Sequence, residues 1–468
     1  MDKKLERLLK TNICPSENNT KIFGSVLSHD SFISYSTYKL KNARVMWVNR
    51  RYFLERNIDF ENIDDFILEN YAYVTETYAQ ENEIDRQDKR VFLADRYGCH
   101  APISNGGSSR CGVNGEFQVK GNGVNPLVGM NIDEGHSDGM LCLAEAVGEA
   151  IWGEICHNNL PHGALRTVAI ISTNRTFMSD HGLGELIEQP AAIAIREWCI
   201  RPAHYERALY YWPYPEYHYL RDLDHVYVQK NIELFVSDCD SKEISIKDRL
   251  IQSFRKIAEQ VAASRIKGIP HGSLSSSNIG IEGEFLDFGT ITAVPDFDNY
   301  LLSGGMGATW DDHRGISSWI KNVTYYFVKY GKGQLVSQDV EDIQKEFLCH
   351  IKEKENYYTA LECGLNLDSS LTYSDLERLG EKIKIQLRDG LNKEKMMEKF
   401  DVKSFKMKVI KILEELKIEK FRYNFLLRDM FFTKYIIVKN PLLTDMAASS
   451  VLVSKLIDEY AVKSMPEK

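Results

Sequence analysis

The residues with the clearest chemical potential lie past the middle of the chain, in His271-Gly-Ser-Leu-Ser-Ser-Ser-Asn278, then Ile-Gly-Ile-Glu-Gly-Glu-Phe-Leu, then Asp287-Phe288-Gly289. Asn278 offers a neutral oxygen and Asp287 a charged one. Both are hard donors, suited to a hard divalent cation that carries phosphates. The nine-residue interval fits two short strands joined by a turn at Glu282-Gly283. Asp-Phe-Gly by itself arises by chance. The spacing Asn-x8-Asp-Phe-Gly, with His-Gly ahead of it, is more specific. The plain alternative is that Asn278 caps a turn and Asp287 makes a local hydrogen bond.

Three upstream features complete the set. Lys120 ends Glu116-Phe117-Gln118-Val119-Lys120 and is followed by Gly-Asn-Gly. A strand lysine neutralises phosphate oxygens well only when a helix carboxylate holds its ammonium in place. Asp138-Gly139 opens a helix-patterned stretch that carries Glu145 and Glu149 one turn apart on one face, and either glutamate can be that partner. Arg196 and Arg201 follow an apolar run, and two guanidinium forks there suit phosphate oxygens better than lysines do. The late asparagine and Asp-Phe-Gly are similar to the pair by which protein kinases hold magnesium.

These side chains must be positioned by two kinds of structure. Residues 43–57 read as a strand followed by the start of a helix, and glycine is dense from 91 to about 135. Residues 116–120 alternate polar and apolar, predicting a half-buried strand. The spacing of Leu141, Ala144, Val147, Ile151 and Ile155 predicts a helix over 137–157, with Ser137 or Asp138 as N-cap. TVAIIS (167–172) and AAIAI (191–195) are buried-strand candidates. Residues 245–266, 315–330 and most of 335–468 read as helical. The expected fold is α+β, with a strand-rich front half, a helical back half and a ligand cleft between them.

Length alone calls for about two to four structural units. With 43% hydrophobic and 27% charged residues, the composition is that of a globular chain able to build them. The net charge of −9 gives a nucleic-acid polyanion no advantage as a partner. The opening MDKKLERLLK is followed by no apolar stretch of the signal-peptide kind, and no run approaches the roughly 18 apolar residues of a membrane span. Nine cysteines (Cys14, Cys99, Cys111, Cys142, Cys156, Cys199, Cys239, Cys349 and Cys363) include no Cys-x-x-Cys pair, so reduced thiols in a cytoplasmic protein are expected rather than disulfides or zinc.

The pieces occur in the order, and near the spacing, of the selenoprotein O family, the bacterial YdiU-type proteins. ISYSTYKLKNARVMWVNRRY (33–52) resembles that family's N-terminal segment, and RYGCHAPISNGGSSR (96–110) its stretch ending in an arginine, which falls on Arg110. EFQVKGNG (116–123) is similar to ELQLKGAG and identifies Lys120 as the phosphate lysine. Ser137-Asp138-Gly139 resembles a second Gly-Asp-Gly, and counting from it favours Glu149 as the lysine's partner. AIAIREWCIRPAHYE (192–206) places Arg196 and Arg201 on two arginines of the nucleotide pocket. HGSLSSSNIGIEGEFLDFG (271–289) places Asn278 and Asp287 on the metal ligands.

The resemblance implies a bilobal protein kinase-like fold. An N-terminal segment (1–90) would pack on the core, an N-lobe (91–205) would hold Arg110, Lys120, Asp138, Gly139, Glu149, Arg196 and Arg201, and a helical C-lobe (206–468) would hold the Asn278/Asp287 metal site. It implies ATP with magnesium, or manganese in its place, and transfer of AMP to a Ser, Thr or Tyr hydroxyl of a protein. Three departures stand out. Ser277 occupies the position of the family's aspartate base, and a serine cannot accept a proton at neutral pH. Met140 stands where the second Gly-Asp-Gly-Arg has its arginine. The chain has no terminal selenocysteine or cysteine of the kind some relatives carry. Residues 206–230 are unusually aromatic, as either loop packing or a docking surface. These departures also resemble the specialised MchC-like members that accompany acyltransferase-like enzymes in microcin maturation, so a catalytically impaired partner subunit is the alternative expectation.

Overall fold

The computed structural model describes residues 27–58, 61–99, 104–132, 134–179, 186–294, 298–363, 372–389, 402–417 and 449–463. Within them, eight strands form one antiparallel sheet in the order β2-β7-β8-β6-β5-β4-β1-β3. The strands are β1 (Phe32–Leu40), β2 (Arg44–Val48), β3 (Tyr73–Val74), β4 (Ile84–Asp95), β5 (Cys111–Asn114), β6 (Phe117–Lys120), β7 (Thr167–Ser179) and β8 (Ile187–Glu197). Residues 32–95 thus share a sheet with the strand that carries Lys120.

Because strand side chains alternate, the sheet has two unlike faces. On β8, Ile193 and Ile195 join Phe117 and Val119 of β6 in one apolar cluster, with Tyr52, Phe53, Phe66 and Tyr71. Ala192 and Ala194 face the other way, into a second cluster with Val147, Ile151 and Trp152. Register pairs Gln118 with Arg196 and Lys120 with Ala194, so the polar positions of β6 share the alanine face. All four residues of β6 are buried. The half-buried strand expected over 116–120 is therefore buried on both faces, because a helix covers the side that carries Gln118 and Lys120.

Helices α1 (Arg50–Glu55) and α2 (Ile63–Tyr71) line the aromatic face. Asn49 caps α1, its Oδ1 accepting from the Tyr52 amide at 3.0 Å. Helix α3 (Leu143–Asn159) covers the alanine face. It begins later than residue 137, and its N-cap is Cys142 rather than Ser137 or Asp138. The cause is local. Glu134–Ser137 forms a separate helical turn, Asp138 Oδ1 accepts from the Met140 amide at 2.8 Å, and Gly139 adopts φ +73°. Cys142 is then drawn into an extended bridge with Ala191.

The later helices are α4 (Asp224–Ser241), α5 (Ile246–Ile266), α6 (Asp312–Tyr330), α7 (Ser337–Glu362), α8 (Tyr373–Asp389), α9 (Val402–Glu415) and α10 (Ser450–Lys463). The helices expected over 245–266 and 315–330 are α5 and α6. Four more fall within 335–468; residues 364–371, 390–401, 418–448 and 464–468 of that span lie outside the described residues. Ion pairs Lys247–Asp339, Arg255–Glu346 and Arg265–Glu355 rise in step along α5 and α7, which therefore run parallel.

Candidate active site

The register of β6 aims the Lys120 side chain at α3, where Glu145 and Glu149 lie one turn apart on the facing side. The Lys120 ammonium bonds Glu149 Oε1, and lies 2.9 Å from Glu145 Oε1 and 3.2 Å from Asp287 Oδ1. Both candidate glutamates therefore contact the lysine. The ammonium is 2% exposed, so water cannot solvate it. Burial works against its charge, but the carboxylates of Asp287, Glu145 and Glu149 outweigh that cost and raise its pKa. Lys120 stays a cation.

Asp287 comes from the far end of a tight hairpin. Ile279 bridges Phe285, the Leu286 amide donates to the Asn278 carbonyl at 3.3 Å, and Gly283 turns the chain at φ +97°. The turn expected at Glu282-Gly283 is there, although the pairing is a single bridge rather than two strands. Asp287 has φ +64°, a left-handed conformation that costs an aspartate less than most residues. Phe288 is buried in the cluster beneath α3, within reach of Gly153. Burial pushes the Asp287 pKa up, but Lys120, Arg196 and Arg110 pull it well below the carboxylate range. Glu145, opposed by burial and favoured by Arg110 and Lys120, drops to about 2.

The arginines form a second layer. Arg110 Nη2 lies 2.8 Å from Glu145, and its Nη1 donates to the Met140 carbonyl at 2.9 Å. Arg196 donates twice to Gln118 Oε1, at 2.9 and 2.7 Å, and lies 3.5 Å from Glu149 Oε2. Arg201 Nη1 donates to Tyr97 Oη at 3.1 Å and to the Ser277 carbonyl at 2.8 Å. Both Arg196 and Arg201 are buried, so use on a phosphate would require these bonds to be exchanged. Gly139 lies against Gly123, its carbonyl accepting from the Gly123 amide at 3.1 Å, and a Cβ on Gly139 would come within 2.3 Å of that backbone.

Ser277 Oγ lies 2.8 Å from Ser275 Oγ and 3.5 Å from Asn278 Oδ1. Asn278 spends its Nδ2 on the Ser273 carbonyl at 2.9 Å, which leaves its oxygen for a further partner. That oxygen and the 37%-exposed Asp287 carboxylate form a hard-oxygen donor set that fits a divalent cation completed by water and phosphate. Glu145, Glu149 and Asp287 also offer oxygens within 4.8 Å of one another, but the Lys120 ammonium already sits among them.

Two participants escaped the sequence reading. Gln118 bridges Arg196 and Arg201, and its i, i+2 relation to Lys120 is the signal that places it on the same face. Glu206, buried and bonded to Ser276, has no such signal. The aromatic segment divides: Tyr211 and Tyr227 are buried, whereas Tyr210, Trp212, Tyr214 and Tyr219 are exposed.

A family model described as "Protein adenylyltransferase SelO" matches residues 107–324, which include every residue of this constellation from Arg110 to Asp287. The protein nucleotidyltransferase YdiU of Trichodesmium erythraeum (strain IMS101) is 24% identical over 257 residues, covering 53% of this chain and 47% of that protein. The chain thus spans about half the length of the curated relative it matches.

Proposed function

With residues 107–324 belonging to the SelO/YdiU-type family, we propose that this chain is a Mg-ATP-dependent protein adenylyltransferase that moves AMP onto a Ser, Thr or Tyr hydroxyl of a protein. The observation that carries this reading is the meeting of Lys120, Glu149 and Asp287 from a strand, a helix and a late hairpin. In this reading the sheet-bearing half and the helical half are the two lobes of a protein kinase-like fold. In this reading the enzyme is cytoplasmic, a compartment that keeps thiols reduced.

Each residue has a role that follows from its surroundings. Lys120, fixed by Glu149 and kept cationic, neutralises phosphate oxygens. Arg110 balances Glu145, and Arg196 and Arg201 hold Gln118, Glu149 and the Ser277 backbone in place. Asn278 and Asp287 would hold magnesium, which would supply charge neutralisation when bound with the nucleotide. The acceptor oxygen bonds to the α-phosphorus, the α–β bridging bond breaks and pyrophosphate leaves. The hydroxyl proton passes to solvent, because Ser277 offers no base at neutral pH. Such transfer depends chiefly on positioning and charge, so a missing base costs about 10²–10⁴ in rate rather than all activity.

The test is incubation of the purified chain with magnesium and ATP labelled at either the α or the γ phosphate, followed by intact-protein mass measurement. Transfer of α label with a gain of AMP supports the reading; γ-label transfer makes the chain a kinase and overturns it. A second reading is favoured by Ser277 and by the exposed Tyr210, Trp212, Tyr214 and Tyr219. In it the chain is an impaired partner subunit of a peptide-modifying complex, docking an acyltransferase-like protein. Co-purification of such a partner, with no transfer by this chain alone, would favour it.

A further inference from the structure

Glu206 is a buried carboxyl that the mechanism above leaves unused. It is 0% exposed, its Oε2 accepts from Ser276 Oγ at 2.7 Å, and its Oε1 accepts from Asn322 Nδ2 at 3.2 Å. No lysine or arginine pairs with it among the described residues. A buried acid without a cation is costly to keep. Burial pushes its pKa up to about 7, with the bonds from Ser276 and Asn322 pulling the other way.

The surrounding bonds show what the group does. The segment from Arg201 to Glu206 grips the Ser273–Asn278 loop at three points. The Ala203 amide donates to the Ser276 carbonyl at 3.1 Å, Arg201 Nη1 donates to the Ser277 carbonyl at 2.8 Å, and Glu206 takes the Ser276 hydroxyl. The segment is itself anchored, because His204 Nε2 lies 2.8 Å from Asp95 Oδ1 at the end of β4. From the other side, α6 meets Glu206 through Asn322 and reaches the loop through Trp319, whose Nε1 donates to the Leu274 carbonyl at 3.1 Å. Glu206 is where the β4 anchor, α6 and the loop meet.

We propose that Glu206, acting through Ser276, is a positioning residue that sets the loop bearing Ser277 and Asn278, and so the placement of the Asn278 oxygen beside Asp287. This rests on the metal-nucleotide reading of the site and adds the device that holds one metal ligand in register with the other. The bond to Ser276 fixes the chain two residues before Asn278, whose Nδ2 is held in turn by the Ser273 carbonyl.

The experiment uses the full chain with a fluorescent ATP analogue, titrated with manganese, alongside α-label transfer and melting temperature. Glu206→Ala and Ser276→Ala are each expected to raise the manganese concentration for half-maximal nucleotide binding about tenfold and to lower kcat. The double variant is expected to be no worse than the poorer single one, and Glu206→Gln, which keeps an acceptor for Ser276, to recover most of the loss. Unchanged manganese dependence in both single variants would overturn the inference, as would losses that add fully in the double variant. If the wild type transfers no label, the functional reading fails, while the manganese titration still decides the role of Glu206.

Discussion

Lys120 Nζ and Asp287 Oδ1 lie 3.2 Å apart although 167 residues separate them in sequence. Neither has a local reason to be there. Lys120 is aimed by the register of β6 against β8, and Asp287 by a hairpin whose next residue, Phe288, is buried under α3. Both therefore answer to one helix.

Removing the ammonium leaves three carboxylates facing one another in a largely buried site. Lys120→Ala should abolish label transfer and also destabilise the fold by about 3 kcal/mol, as breaking a buried ion pair does. Lys120→Ala with Glu149→Gln should recover part of the stability and none of the activity. Chemical denaturation of the three proteins checks this.

The positive φ of Asp287 separates chemistry from folding at one position. Asp287→Gly and Asp287→Ala should both lose transfer, because each lacks the carboxylate. The glycine variant should be more stable than the alanine variant by about 1 kcal/mol, since only alanine pays for a left-handed Cβ. Equal denaturation midpoints would contradict the strain argument.

Acid should loosen the site in a defined window. The folded pKa of Glu145, about 2, lies below its ordinary 4.5, and that of Asp287 is also depressed from 3.8. Lowered carboxyl values give stability that is present above the unfolded pKa and lost as pH falls through the folded one. Stability from these groups should hold from pH 7 to about 5 and fall below that, more shallowly in Glu145→Gln.

Glu206 has the opposite sign. Its raised value of about 7 means that the folded state binds the proton more tightly than the unfolded chain. Its contribution should be present below about pH 4.5 and fade as pH rises through 7. Melting temperatures from pH 5 to 8 should therefore decline less in Glu206→Gln than in the wild type.

Ser277 can be tested by gain of function. Ser277→Asp restores a carboxylate next to Asn278 and should raise the rate of α-label transfer at least about tenfold. An unchanged rate would mean that proton removal does not limit the reaction, or that the loop cannot present the new group to the acceptor.

Much of this arrangement was legible in the residues. Lys120, Asn278 and Asp287 can be picked out because their types and spacing are unusual together, and the strand candidates at 167–172 and 191–195 fall within the longer β7 and β8. The N-terminus of α3 was not legible: apolar periodicity runs on through Leu141, and only the tertiary bridge of Cys142 to Ala191 holds that stretch extended. The inward side of β6 was missed for a similar reason, since an alternating strand shows one apolar face and cannot tell whether water or a helix meets the other. Glu206 is invisible to pattern altogether; it matters through partners 70 and 116 positions away.

The crowd of charge around Lys120 has a consequence for traffic. Carboxylates from Glu145, Glu149 and Asp287 are matched by cations from Lys120, Arg110 and Arg196, leaving the local account near zero. A bare triphosphate arriving there would tip that account sharply negative, and a bare metal ion would meet an ammonium already in place. Nucleotide and metal entering together would bring about half the charge imbalance of the bare triphosphate. On the proposed reading, the balanced charges around Lys120 would favour the complexed nucleotide over the bare triphosphate.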